Sequence, residues 1–192
     1  MTEDEAVETF YSEERWQNWL TRIEAEELDP ENEESARLLL NLQDDAAIAI
    51  AKVLTALMED RIGEERAVEE IRMIRDIVLA EVAFEDEDKL IMIDGVQTSL
   101  IPVFYAAEEY VIGGVVEGDI SEFIRAAADA EADEDLDAAL GYVVQAGTRV
   151  IDGEPLDIEL IEEIEYGLVA EWVNGLDSLQ TALDDPEVVE ED

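Results

Sequence analysis

The sequence has no cysteine, no histidine and only two lysines, Lys52 and Lys89. Without cysteine there is no disulfide framework, no thiolate nucleophile and no thiolate metal site. The missing histidine excludes more. It removes the usual general base near neutral pH, the usual zinc ligand and every triad built on imidazole. Eleven basic residues in all leave too little clustered positive charge to displace counterions from a nucleic acid, so no nucleic-acid partner is expected. Long apolar runs are missing as well. The charge-free window at residues 95–107 (GVQTSLIPVFYAA) spans thirteen residues, fewer than the roughly 20 of a bilayer-crossing segment, so no membrane partner is expected either. The acidic residues 1–9 do not read as a signal peptide, and the expected compartment is the cytoplasm.

What the chain has in excess is acid. Fifty-four of 192 residues are Asp or Glu, and the formal net charge is −43. Self-repulsion on that scale opposes a compact state at low salt. At molar salt the Debye length shrinks to about 3 Å and most of the repulsion is screened. This lysine-poor acidic surface resembles that of cytosolic proteins from salt-accumulating haloarchaea, and most acidic clusters read as solvated faces suited to brine. Apolar residues at 48% are ample for a core, which argues against global disorder. The length fits one domain, placed at residues 10–183 between an acidic lead-in (1–9) and a disordered acidic tail (184–192).

Taken in order, the chain reads as helices. Ser12 offers an N-cap, and Trp16, Trp19, Leu20 and Ile23 share one face, the two tryptophans reading as core in preference to a docking stripe; Asp29 and Pro30 end that helix. Asn32 starts a second helix to about Arg61, with Gly63 as its stop. Residues 46–51 (AAIAIA) are apolar all round, which predicts a helix sandwiched inside the bundle. A third helix is predicted over 64–84. Its arginines, with Arg61, admit a phosphate-binding reading, but Glu69, Arg72 and Asp76 are spaced for a laced surface, and that reading is preferred. Residues 89–94 read as a short apolar element, either a helical turn or a strand. Pro102 then poses a choice between a kinked continuous helix and a new helix capped at Thr98 or Ser99, and the new helix, ending at Gly113 and Gly114, is preferred. Asp119 opens a helix to Ala132, and another follows over 133–151, where Gly141 and Gly147 are costly and suggest close crossings. One long last helix runs from Asp157 to Leu183. The predicted fold is an all-α bundle of about seven helices around a buried central helix.

Chemistry is hard to assemble from these residues. Asp133, Asp135 and Asp137 alternate like the start of a calcium loop, but Ala138 and Val144 stand where that loop needs Gly and Glu. An all-carboxylate di-metal site could draw only on Glu108, Glu109, Glu162 and Glu163. The glycines at 113–118 lack the Lys-Ser/Thr ending of a phosphate loop, and Thr98 and Ser99 have no adjacent base. No cofactor or metal is expected, and the balance is against an enzyme.

Two segments, residues 11–20 (YSEERWQNWL) and 97–104 (QTSLIPVF) with its continuation to Gly114, resemble a largely haloarchaeal and methanogen family of unknown function. The resemblance implies an archaeal source and carries over no functional residues. The leading expectation is a non-enzymatic adaptor or regulator that binds another protein, or a second copy of itself, through Trp16, Trp19, Phe104 and Tyr105. The alternative is a small-molecule or metal-binding protein, a simple binder or an enzyme, with a pocket at Gln97, Thr98, Ser99, Tyr105, Glu108 and Glu109.

Overall fold

The computed structural model describes residues 9–29, 31–164 and 167–184. The acidic lead-in before residue 9, Pro30 and the tail from 185 onward lie outside them. Among the described residues the chain is all-α, with eight helices and no strand. They are α1 (Glu13–Ala25), α2 (Glu33–Met58), α3 (Glu64–Val78), α4 (Glu87–Gly113), α5 (Ile120–Ala132), α6 (Leu136–Ile151), α7 (Ile158–Glu163) and α8 (Leu168–Asp184).

Short polar residues set most helix starts. The side chains of Ser12, Asn32, Asp86, Asp119, Asp135 and Asp157 each accept a backbone N–H from their own first turn. Each satisfies donors that the helix cannot, and the acidic residues just behind the caps favour the positive end of the helix dipole.

Three boundaries differ from the sequence reading. The third helix stops at Val78 rather than near 84, because Gln97 on α4 donates its amide to the carbonyls of Val78 and Ala80, both at 2.9 Å. The central stretch is one helix, and no new helix begins at Thr98 or Ser99. Asp86 supplies the cap instead, and Ser99 turns its hydroxyl back to the Gly95 carbonyl at 2.9 Å, the i to i−4 bond of a serine inside a helix. Pro102 therefore sits mid-helix and deprives the Thr98 carbonyl of its donor, at a cost of about 3 kcal/mol. Packing of α2, α3, α6 and α8 around α4 outweighs that cost. By length and composition the continuous α4 is long and apolar enough to cross a membrane, although half of the qualifying window is buried against neighbours. The third difference is the last helix, which is divided into α7 and α8. Glu131 of α5 accepts the Val169 N–H at 3.1 Å, so a carboxylate from elsewhere in the bundle caps α8.

The helices enclose two main apolar clusters. The first joins α1, α2, α3 and α4 around Trp16, Leu42, Ile50, Ile71, Leu100 and Phe104. The second joins α5, α6, α7 and α8 around Ile124, Val143, Leu160, Trp172 and Leu176. Residues 46–51 of α2 are all buried, as their pattern predicts, with α3 and α4 against some of the helix and α8 also packed on it. The helices of the second cluster press directly on α4. A Cβ at Gly147 would lie 2.5 Å from the Ala106 Cβ, and one at Gly175 would overlap the Ser99 carbonyl oxygen. Gly147 thus marks a close crossing, as expected. Gly141 does not, since nothing lies within 4 Å of a Cβ built there.

Candidate functional site

Trp16 and Phe104, two of the four residues expected to dock a partner, are each only 1% exposed. Both are core residues of the first cluster and offer no surface, a correction to the docking stripe read from spacing. Large aromatics fill cores and interfaces alike, so spacing could not separate the two roles. Trp19 is half-buried and donates its indole N–H to Asp45 Oδ2 at 2.9 Å, with the Arg22 guanidinium 5.7 Å from its ring. Arg15 forks onto the same carboxylate, its Nε 2.8 Å from Oδ2 and its Nη2 bonded to Oδ1. The Tyr11 phenol lies buried in this network, and burial, then the charge of Asp45, pushes its pKa well up. These groups fasten α1 to α2.

The pocket expected at residues 97–109 is not assembled as one site. Gln97 caps α3, Ser99 bonds to Gly95, and Glu108 is held by two arginines. Thr98 is half-buried and does not line the grooves described below. Glu108 Oε1 accepts from Arg72 Nε at 2.9 Å and Nη2 at 2.5 Å, and its Oε2 lies 3.5 Å from Arg75 Nη1. Its bonds and its charge hold the Arg72 guanidinium more firmly protonated. The lacing of the arginine cluster thus runs partly between helices, with Arg72 paired to Glu108 rather than to Glu69 or Asp76, and Arg75 shared between Glu108 and its neighbour Asp76. Arg66 pairs with Glu70 at 2.5 Å and Arg61 with Glu59 at 2.8 Å.

The remaining two expected residues, Tyr105 and Glu109, belong to a different feature. Tyr105, Glu109 and Ile112 stand at i, i+4 and i+7 on α4 and form an exposed strip along its carboxyl-terminal half. Tyr105 is 41% exposed and Ile112 66%. Arg75 of α3 lies 5.8 Å from the Tyr105 ring. A groove runs on either side of the strip. Toward α3 it encloses about 420 Å³ between Glu65, Val68, Glu69, Arg72 and Ile112. Toward α6 it encloses about 440 Å³, with Tyr105 and Glu109 facing Asp137, Leu140, Gly141, Val144 and Gln145. Its floor is fixed by Thr148, whose hydroxyl donates to the Gln145 carbonyl at 2.7 Å and accepts the Val116 N–H at 3.2 Å. The sequence held a signal for this second groove in Gly141, a helix-interior glycine with no close neighbour. That α6 lies beside α4 is a tertiary fact that no local pattern carried.

Metal chemistry finds no assembled site. Among the described residues no group of three or more acidic side chains is placed to hold an ion. Asp135 spends its carboxylate on the Ala138 N–H, Glu108 is paired, and Glu163 lies 3.9 Å from Arg125.

Residues 9–192 match the family described as an uncharacterized protein conserved in archaea (DUF2150), and the chain belongs to that family. No curated protein and no solved structure matches it.

Proposed function

We propose that this member of an archaeal family works without catalysis, as a module that docks a segment of another protein across the valley formed by α3, α4 and α6. One observation carries the reading: the central helix, walled by four others, leaves Tyr105 and Ile112 in solvent between two grooves. Apolar side chains at i and i+7 beside ready-made grooves match the way one helix or extended segment lies along another. The absence of cysteine and histidine from the sequence, and the employment of Gln97, Ser99 and Glu108 in holding the fold, support a binding role over a catalytic one.

The test is capture of a stoichiometric partner by the tagged chain at molar KCl, repeated with the double variant Tyr105→Ser and Ile112→Ser. Both residues are exposed, so the variant keeps the wild-type melting temperature and loses the partner. Retention of the partner by a folded double variant, or recovery of the chain alone, overturns the docking reading. A second copy of the chain as the captured species would make the valley a self-association surface. A second reading, small-molecule binding, rests on the α4–α6 groove, which retains Tyr105 and Glu109 from the pocket expected at residues 97–109.

A further inference from the structure

Gly141, in the wall of the α4–α6 groove, is with Gly95 of α4 one of two helix-interior glycines beside which an added Cβ would meet nothing within 4 Å. Gly141 lies well inside α6, where glycine weakens a helix relative to nearly any other residue. Gly147 on the same helix is required by contact with Ala106, but nothing within 4 Å of Gly141 requires it. What its missing side chain does is leave the groove open, because Gly141 is part of the groove wall. The wall chemistry is equally one-sided. Glu109 and Asp137 bring two carboxylates, and no basic residue lines the groove. Leu140, Val144 and Val116 supply an apolar side, and Tyr105 supplies an aromatic one. The Tyr105 ring has the Arg75 guanidinium 5.8 Å away, and the charge of that guanidinium is answered by Glu108 and Asp76. Two carboxylates with an aromatic and an aliphatic wall match a charged head on a short hydrocarbon stem, whereas a bare metal ion would want more oxygen ligands.

We propose that the α4–α6 groove binds an alkyl cation: an ammonium or guanidinium on a short aliphatic stem, with the head between Glu109, Asp137 and Tyr105 and the stem along Leu140 and Val144. This inference rests on the groove as a binding site, whether its occupant is a small molecule or a side chain of a docked protein. The same chemistry has two sources, a free amine or guanidine and an arginine or lysine side chain of a bound protein.

The experiment is titration of the whole chain, at molar KCl, with n-butylguanidinium, n-butylammonium and the neutral isostere n-butylurea, followed by amide chemical shifts and calorimetry. Expected are saturable shifts around Leu140, Val144 and Thr148 for the two cations and weaker binding of the urea. Gly141→Leu fills the open space with a good helix former, so it melts higher than wild type while losing about tenfold or more in affinity. Glu109→Gln weakens the cations and leaves the urea unchanged. If the urea binds as tightly as the cations, the groove takes small molecules but the charge assignment fails. If none of the three binds, or if Gly141→Leu keeps full affinity, the groove site itself fails. Binding of N-acetyl-arginine amide marks a protein side chain as the source, and its rejection beside bound butylguanidinium marks a free solute; either sustains the cation site.

Discussion

Asp44 and Asp45 are consecutive on α2 and sit in opposite circumstances. Asp45 is buried but answered by the Arg15 fork and the Trp19 indole. Asp44 is partly buried beside Asp177 of α8. Burial raises its pKa most, the Ser178 hydroxyl partly offsets this, and the charge of Asp177 raises it further. A carboxylate whose folded pKa lies above its unfolded value makes the native state the tighter binder of protons. Stability then falls as pH rises through the window between the two values, and the penalty is complete above the folded pKa. Asp44→Asn removes that penalty while keeping an oxygen for Ser178. The variant should therefore be more stable than wild type at neutral pH. Its advantage should shrink as pH falls through the raised Asp44 pKa toward the ordinary carboxylate range. Denaturant unfolding of both proteins across that range gives the comparison, and a gain that persists unchanged in acid would show that Asp44 titration is not its source.

Glycines inside helices separate two kinds of element contact, and one substitution tests both. At Gly175 an added methyl would collide with the Ser99 backbone, which cannot swing aside as a side chain can. Gly175→Ala should cost about 1–3 kcal/mol through overpacking. At Gly141 the same change meets open space and should gain up to about 1 kcal/mol from helix propensity alone. Opposite signs in paired denaturation curves are the expected result, and destabilisation at both sites would mean that α6 is packed more tightly than its contacts indicate. Legibility follows the same division. Ser12, Asn32 and Asp119 announced their helices because a cap acts on its own next turn, and the alanine run of α2 announced burial on all sides. Pro102 misled because proline reads as a boundary, whereas here four neighbouring helices enforce continuity. The ends of α3 and the start of α8 depend on Gln97 and Glu131, residues nineteen and thirty-eight positions from the backbone groups they bind at Val78 and Val169. No local pattern carries contacts of that range. For the site, the sequence marked Tyr105 and Glu109 but noted Asp137 only in a broken calcium-loop pattern and gave Leu140 and Gln145 no site role, because these three reach them only through the α4–α6 crossing.

For the whole molecule the controlling quantity is its charge of −43. Between about 0.1 M and about 1 M KCl the Debye length falls from roughly 10 Å to roughly 3 Å, so repulsion among surface carboxylates fades. The melting temperature should climb across this interval and flatten beyond it; a flat profile throughout would mean that the acids are already compensated locally. The central position of α4 bears on a different property. Its Leu100 and Phe104 fill the first cluster, while its Ser99 and Ala106 seat Gly175 and Gly147 from the helices of the second. Neither group of helices has a complete outer wall of its own. If the gene were split at the exposed Glu117–Gly118 connection, the amino-terminal product would carry α4 with both seats vacant, and the carboxyl-terminal product would carry glycine faces with nothing to rest on. Made separately, each piece should lack a cooperative melt; made together, they should find one another and restore the helical signal of the intact chain, which suits this protein to use as a two-part reporter.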